Sequence, residues 1–208
     1  MYELFLSAFV TLFVVIDPPG CAPIYAGLSA GASRAQAVSM AARACTVAAI
    51  ILVVFALFGK TLLNALHIEL DAFRIAGGIM LFMIAIDMVF EKRTQRREER
   101  AEKIKATPEV EDVSIFPMAM PMLAGPGSIA TMMLLTSRAH GVEQNATILG
   151  AMICVMLLAF AALAAAGPLM KVLGDKVEAV ITRLLGVLLA ALAAQYVIDG
   201  VKATLLPG

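Results

Sequence analysis

The hydrophobic pattern of this chain of 208 residues consists of six long apolar stretches separated by short polar segments. The stretches cover residues 2 to 30, 38 to 58, 73 to 90, 114 to 137, 146 to 173 and 179 to 200. Each is close to the roughly 20 apolar residues that carry a helix across a bilayer. None alternates apolar and polar residues as a lipid-facing barrel strand would, and lipid offers the backbone no hydrogen-bonding partner. The predicted fold class is therefore all-α, a polytopic transmembrane helical bundle of six spans.

Composition and charge agree with a chain that faces lipid. Hydrophobic residues make up 61% of the sequence and charged residues 15%, against about 25% charged residues in a soluble domain. Of the 32 charged residues, 14 lie between residues 91 and 112, which leaves 18 for the other 186 residues. This distribution argues against a soluble enzyme, and the formal net charge of zero argues against a nucleic-acid partner. The lipid bilayer is the expected partner.

The two halves of the chain share landmarks at an offset of 107 to 109 residues. The aligned pairs are Pro19-Gly20 with Pro126-Gly127, Phe58-Gly59 with Ala166-Gly167, and Arg74 plus Gly77 with Arg183 plus Gly186. They predict an internal repeat, with chance coincidence in a chain rich in Gly and Ala as the alternative. Three spans in each half would place the halves upside down relative to each other, a 3+3 inverted repeat. The predicted divisions are a first three-helix repeat over 1–90, a charged linker over 91–112 and a second three-helix repeat over 113–208.

Lys and Arg residues distribute unequally between the two sides of a six-span bundle. Twelve fall on the side of the linker and four on the other side. By the positive-inside rule the linker is cytoplasmic and both termini are periplasmic, in the inner membrane of a bacterium. If segments one and four were re-entrant hairpins, the split would become eleven to five. Both topologies stay open on this count.

Two of the six segments contain proline and glycine at positions that interrupt a helix. The first contains Asp17-Pro18-Pro19-Gly20, in which consecutive prolines remove two amide donors, so its helix must break. The fourth contains Gly125-Pro126-Gly127, with Pro117 and Pro121 ahead of it. Two broken helices at matching places in two halves indicate a transporter's binding site. The alternative is a pair of kinks without a ligand.

The residues around both breaks are candidates for contact with a substrate. A helix that restarts after a break presents unpaired amides, here at Cys21 and Ala22 and at Gly127 and Ser128, which attract an anion such as a carboxylate. A carboxylate at the depth of Asp17 is either functional or a cap for the restarted helix. The predicted substrate-binding residues are Asp17, Pro18, Pro19, Gly20, Cys21, Gly125, Pro126, Gly127, Ser128 and Thr131.

Arg74 and Arg183 enter segments three and six at equivalent places. Each is followed three residues later by a glycine, Gly77 or Gly186, which lets another helix approach closely. These arginines either anchor helix ends at the interfaces or pair with acidic or carbonyl groups of the broken segments. No nucleophile with a base, phosphate loop or metal-ligand cluster occurs in the sequence. We therefore expect no enzyme, cofactor or metal site, and only H⁺ or Na⁺ as a coupling ion.

Three stretches of the chain resemble the signature stretches of the MarC family of bacterial inner-membrane proteins. They are Asp17 to Pro23 (DPPGCAP), Phe73 to Gly78 (FRIAGG) and Ala124 to Thr131 (AGPGSIAT). The family usually has Asn where this chain has Cys21. The resemblance implies six spans, a distant relation to the LysE-type amino-acid exporters and, in some members, transport of small neutral amino acids.

The predicted function is secondary transport of a small neutral amino acid such as Gly, Ala or Ser, or of a similar small solute, through a site between the two broken helices. One alternative is an exporter of other small molecules, including drugs. Another is a membrane protein that assists assembly or senses the envelope without transporting anything. The sequence leaves open the substrate, the direction of transport, the coupling ion and whether the chain forms a homo-oligomer.

Overall fold

The computed structural model describes residues 1–90 and 112–205, except for the side chains of 169–178. These residues form helices and no strand, as the sequence predicts. The elements are α1 (Tyr2–Ile16), α2 (Pro18–Leu28), α3 (Arg34–Ala65), α4 (Leu70–Val89), α5 (Ser114–Leu123), α6 (Pro126–Ser137), α7 (Gly141–Ala164) and α8 (Ala166–Leu205). The charged linker, residues 91–111, lies outside the described residues.

The described chain has five helices that are apolar and long enough to cross a bilayer, or six spans if the bent pair of α5 and α6 counts as one. The first of the five joins α1 and α2 into Tyr2–Leu28, and the pair α5 and α6 is bent by 53°. One predicted boundary is wrong. We expected the fifth segment to end near residue 173, but α7 ends at Ala164 and α8 runs without interruption from Ala166. Pro168 agrees with this start, because proline is favoured in the first turn of a helix, where its missing N–H leaves no intrahelical hydrogen bond unmade.

Helices α4 and α8 form the longest contact of the bundle and run antiparallel. Going along α4, Ile75, Gly78 and Met88 meet Gly200, Val197 and Gly186 of α8 in that order. A Cβ atom on Gly186 would lie 2.9 Å from the Met88 Cβ. Small residues allow this approach of two backbones, which is how transmembrane helices gain packing energy without a hydrophobic driving force. The close helix approach predicted at Gly186 is confirmed.

We expect Gly78→Ala to destabilise the folded protein. A Cβ atom there would lie 2.9 Å from the Ala193 carbonyl oxygen and 3.0 Å from the Val197 amide nitrogen, backbone atoms that cannot turn away. Overpacking of this kind costs about 1–3 kcal/mol. Gly150→Ala on α7 is the matched control, since nothing lies within 4 Å of its Cβ position. Thermal unfolding in detergent, followed by circular dichroism, should show a lower melting temperature for Gly78→Ala only. Equal melting temperatures would contradict the packing described.

The two halves of the chain pack mainly against each other. Helix α3 packs on α5, α6 and α7, and its counterpart α7 packs on α1, α2 and α3. Helix α2 packs on α8, and its counterpart α6 packs on α4, the counterpart of α8. Most of the extensive contacts thus join a helix of one half to a helix of the other, and the two halves form one bundle. The inverted relation of the repeats stays a prediction.

Two polar contacts define the opposite ends of the bundle. At one end, which we call the linker side, Arg43 near the start of α3 pairs with Asp112 just before α5. At the other, the terminal side, Arg138 after α6 pairs with Asp199 near the end of α8 at 2.9 Å. Helices α5 and α6 together thus run from the linker side to the terminal side.

The apolar interior consists of two clusters that meet beside the first helix break. Ile16 belongs to the cluster formed mainly by α1, α2, α3, α5 and α7, to which α6 adds Met132 and Leu135. Its neighbour Val15 belongs to the cluster formed with α4, α6 and α8. Asp17 directly follows both residues and is itself 1% exposed. The break therefore lies in the protein interior, where irregular backbone is tolerated at membrane depth.

Candidate functional site

Asp17 makes the first break and caps both helices that meet there. Its backbone is left-handed (φ 58°, ψ 63°), so α1 ends at Ile16 and α2 begins with Pro18. The Asp17 N–H donates to the Phe13 carbonyl oxygen at 2.9 Å, and its carboxylate accepts from the Gly20 N–H at 3.1 Å. Pro18 and Pro19 occupy the first helical positions, where a missing N–H costs nothing. The predicted break and the predicted capping role of Asp17 are both confirmed.

Gly20 is required by the position of the Asp17 side chain. A Cβ atom on Gly20 would lie 2.3 Å from Asp17 Oδ2 and 2.8 Å from its Cγ. Any other residue would therefore displace the carboxylate from the cap. The Pro18-Pro19-Gly20 sequence thus both starts α2 and makes room for the carboxylate.

The amide of Cys21 is used within the protein, which differs from our expectation. Its N–H donates to the Asp17 carbonyl oxygen at 3.1 Å, and its thiol donates to the Ile16 carbonyl oxygen at 3.5 Å. The first break therefore does not present Cys21 N–H to an anion, because Asp17 supplies both acceptors of the first turn. What this break contributes to the site is a buried carboxylate.

The second break begins in α5, whose backbone is irregular. Phe116 and Met120 are extended, with φ −129° and ψ 122° and 123°, and each precedes a proline, Pro117 or Pro121. Proline disfavours helical backbone in the residue before it, so both departures follow from the sequence. Gly125 precedes α6 in extended backbone, and a Cβ atom there would lie 2.4 Å from the Pro121 carbonyl oxygen. The predicted break of the fourth segment is confirmed.

The start of α6 has no cap, in contrast to the start of α2. Pro126 has no N–H, and the first turn is closed by the Ile129 N–H donating to the Gly125 carbonyl oxygen at 3.0 Å. No hydrogen bond among residues 1–90 and 112–205 uses the N–H groups of Gly127 and Ser128. These are the donors that the sequence predicted for an anion, placed where the helix dipole is positive.

The two hydroxyl groups near this helix start differ in availability. Ser128 is 3% exposed, and its hydroxyl makes no hydrogen bond within the described part of the chain. Thr131 is fully buried, and its hydroxyl donates to the Gly127 carbonyl oxygen at 2.8 Å. Ser128 can therefore donate to a ligand, whereas Thr131 is restricted to accepting.

The two breaks meet at Gly127. The position of a Cβ atom on Gly127 lies 2.4 Å from Ile84 Cδ1 of α4 and 3.6 Å from Val15 Cγ1 of α1. Val15 is two residues before Asp17. The end of α1 and the start of α6 therefore contact each other, and the Ile84 side chain fills the space next to the uncapped amides. Sequence reasoning missed Ile84, because an isoleucine in an apolar helix carries no signal of its own.

The arginines of segments three and six have different surroundings. Arg74 pairs with Asp71 of its own helix at 2.6 Å, and the described residues show no ion pair between it and a broken segment, which agrees with the alternative of an anchor at the helix end. Gly77 packs against Leu134 of α6, since a Cβ atom would lie 2.9 Å from its Cδ1. The helix approach predicted at Gly77 is confirmed. Arg183 lies on α8, and its pairing with a broken segment stays a prediction.

The terminal side is closed by a polar cluster that the sequence did not reveal. Asp199 accepts hydrogen bonds from Arg138 at 2.9 Å and from Gln195 at 2.7 Å. The Arg138 guanidinium also lies 5.0 Å from the centre of the Tyr196 ring, a cation–π contact. The cluster ties the end of α6 to α8. The spacing of Gln195 and Asp199 was visible, but Arg138 is distant in sequence.

Two cavities lie on opposite sides of the breaks. A groove of about 390 Å³ between α1 and α8 follows Glu3, Ser7 and Thr11 and ends at Val14, next to the breaks. A cavity of about 600 Å³ lies on the linker side at the end of α2, where Leu28 lines it. The break residues line neither cavity. Within the described residues, no group of acidic, His and Cys side chains could hold a metal ion.

Comparisons with known proteins agree with this architecture. Similar proteins include a UPF0056 membrane protein of Methanocaldococcus jannaschii, 31% identical over 98% of each chain. YvbG of Bacillus subtilis is 31% identical to this chain, and the match covers 97% of this chain and 96% of YvbG. YhcE of Escherichia coli is 30% identical, and the match covers 97% of this chain and 93% of YhcE. Both are UPF0056 membrane proteins. No solved structure matches the chain. The family model for MarC family integral membrane proteins matches residues 2–205, so the chain belongs to the MarC family.

Proposed function

We propose that this protein is a secondary transporter of small neutral amino acids or similar small solutes. The observation that carries the proposal is the meeting of two broken helices at Gly127, Val15 and Ile84. Broken helices that meet inside a bundle place polar backbone groups where a solute can bind away from lipid.

The chemistry of the two breaks is complementary to a zwitterion. Asp17 supplies a buried carboxylate at one break, and the N–H groups of Gly127 and Ser128 supply uncapped donors at the other. The ammonium group of an amino acid would bind on the side of Asp17 and its carboxylate at the start of α6. H⁺ or Na⁺ would couple transport through the same Asp17 carboxylate, because a buried carboxylate binds a cation or a proton in place of water.

The closed packing around Gly127 supports a carrier rather than a channel. Ile84 occupies the space at the uncapped amides, while a groove reaches Val14 from one side and a cavity reaches Leu28 from the other. A solute can enter from either cavity only when the packing at the breaks rearranges. That is the requirement of alternating access.

The directions of the helices support the inverted repeat. The pair α1 and α2 ends on the linker side, whereas α5 and α6 begin there, and α4 is antiparallel to its counterpart α8. In the inner membrane of a bacterium the linker side would be cytoplasmic and both termini periplasmic.

The deciding experiment is uptake by the purified protein in liposomes. We expect labelled Gly, Ala or Ser to accumulate when an H⁺ or Na⁺ gradient is imposed, and not in liposomes without protein. Accumulation of drugs but not of amino acids would favour the exporter alternative. No uptake of either class, in either direction, would favour a role in assembly or sensing.

The proposed orientation predicts how introduced cysteines react. In a background without the three native cysteines, Glu98→Cys in the linker and Leu205→Cys near the end of α8 should react with impermeant reagents from opposite sides. Leu205 is 72% exposed, so its replacement disturbs little packing. Intact cells should label Leu205→Cys only, and inverted membrane vesicles Glu98→Cys only. Labelling of both in intact cells would contradict the inverted repeat.

A further inference from the structure

The cavity on the linker side has polar walls, whereas the groove between α1 and α8 is lined mostly by apolar Leu and Val side chains. Gln36, Ser39 and Arg43 follow one face of α3 at its start and line the cavity together with Asp112. Its volume of about 600 Å³ falls within the range of small-molecule sites, about 300–1,000 Å³. The lining therefore combines a cation, an anion, an amide and a hydroxyl group around one space.

The charged pair in this wall is open to exchange. Arg43 and Asp112 form an ion pair in which the side chains are 53% and 41% exposed. Exposed ion pairs contribute little net stability, so ligand groups can replace either partner at small cost. Asp112 is held in place independently of Arg43, because its carboxylate also accepts from the Ser114 N–H at 2.9 Å. Hydrogen bonding from Ser114, with the Arg43 guanidinium adding to it, lowers the pKa of the Asp112 carboxyl, which is therefore ionised at neutral pH.

The neutral polar groups of the wall have unused donors. Gln36 accepts from the Ser33 N–H at 2.9 Å through its side-chain oxygen, so its amide nitrogen can donate elsewhere. The Ser39 hydroxyl makes no hydrogen bond in the described part of the chain. Two neutral donors beside a guanidinium match the oxygens of a carboxylate.

The cavity is distinct from the site at the breaks. Helix α2 lies between the first break and the cavity, and its 11 residues are about 16 Å long at 1.5 Å per residue. Tyr25, 1% exposed, lies along that helix between Asp17 and Leu28, and its hydroxyl donates to the Ala37 carbonyl oxygen of α3. A ligand in the cavity therefore touches neither break.

We propose that this cavity is a second binding site for a solute that carries an ammonium and a carboxylate group on one carbon. The ligand carboxylate binds Arg43 with Ser39 and Gln36, and its ammonium group binds Asp112, so that a zwitterion replaces the ion pair. This proposal rests on the proposed transport function and adds an entry site at the linker-side mouth.

Gly31 provides a reporter for occupancy of the cavity. It lines the cavity, and nothing lies within 4 Å of its Cβ position, so Gly31→Cys is accommodated. In the full-length protein without native cysteines, the rate of its reaction with N-ethylmaleimide is measured with three probes: L-alanine, propionate and ethylamine. At ten times its Kd, L-alanine should slow the reaction roughly tenfold by mass action. At the same concentration, propionate and ethylamine, which each lack one charged group, should slow it by less than about twofold.

Variants of the ion pair test the assignment of the two charges. Arg43→Gln and Asp112→Asn should each raise the alanine concentration needed for protection by at least about tenfold, since a charged hydrogen bond is lost. Arg43→Lys keeps the charge and should retain protection, which guards against a simple loss of folding. Glu143→Cys, exposed at the start of α7, is the control reporter and should not be protected.

The outcomes separate this site from the transport site. Gly127→Val, expected to stop transport, should leave the protection of Gly31→Cys unchanged. Loss of protection in that variant, equal protection by propionate, or no protection by L-alanine would overturn the second site. Accumulation of alanine in liposomes without protection would overturn it and leave the transporter intact. Protection without accumulation would support the site and contradict the proposed function.

Discussion

Asp17→Asn is expected to abolish gradient-driven accumulation of substrate while leaving the protein folded. The change removes the charge but keeps the structural roles of the side chain. An Asn oxygen can accept from the Gly20 N–H as the carboxylate does at 3.1 Å, and Asn tolerates the left-handed backbone seen at φ 58°. In liposomes with an imposed gradient, uptake should fall from concentrative accumulation to equilibration. Exchange of labelled for unlabelled substrate should survive at higher substrate concentrations, because an Asn oxygen still accepts from the ammonium group, although more weakly than a carboxylate.

Two further variants separate charge from capping. Asp17→Ala removes the charge, the cap and the tolerance for left-handed backbone, so it should stop accumulation and also lower stability by about 1–3 kcal/mol. Glu143→Gln removes a charge at an exposed position of α7 and should change neither. If Asp17→Asn accumulates substrate as the native protein does, Asp17 is a helix cap and nothing more.

Gly127→Val should produce the second large loss of transport. An anion at a helix N-terminus gains about 0.3–2 kcal/mol, so losing that contact alone weakens binding roughly 2- to 30-fold. A side chain at this position also blocks the approach of a ligand to the Gly127 and Ser128 amides. Ser128→Ala removes one neutral hydrogen bond and should cost less, about 0.5–1.5 kcal/mol. Substrate binding and initial uptake rates give this order directly. Normal transport by Gly127→Val with failure of Ser128→Ala would instead make the hydroxyl the specific contact.

The contact of Gly127 with Ile84 requires a control for packing. A Val side chain would collide with Ile84 Cδ1, 2.4 Å from the Cβ position. In Gly127→Val/Ile84→Ala this collision is relieved, so stability should recover while transport stays lost. Gly59→Val on α3 produces a similar collision with the flexible Met133 side chain, at 2.7 Å, away from the breaks. It should transport at a rate near that of the native protein. Recovery of transport in the double variant would assign the whole effect to packing.

The sequence predicts the parts of this fold that depend on local backbone chemistry. Pro18 and Pro19 end α1 because proline lacks an N–H and clashes with the preceding turn. Phe116 and Met120 are extended because each precedes a proline. Asp71 and Arg74 lie three residues apart on one helix, so their pairing follows from spacing alone. The pattern left open whether Arg74 anchors the helix end or pairs across the bundle, and the structure shows a partner within its own helix.

The sequence does not predict which helix faces meet. Helices in lipid are apolar on most faces, so hydrophobicity does not mark the buried side as it does in a soluble protein. Ile84 at the break and Arg138 beside Asp199 become visible only once α4, α6 and α8 are placed. The start of α2 is a related case. The sequence predicted unpaired amides there, but the Asp17 carboxylate accepts from the Gly20 N–H and the Asp17 carbonyl oxygen accepts from the Cys21 N–H.

The packing of each half on the other has a consequence for how the chain enters the membrane. Translation delivers α1 to α4 first, before the helices on which they pack have been made. Until α7 and α8 emerge, the break at Asp17 lacks the helices that pack on α1 and α2 in the complete bundle. Gly78 of α4 likewise has no packing partner until Ala193 and Val197 of α8 have been made. We expect the first half expressed alone to be degraded, and co-expression of the two halves as separate chains to rescue both.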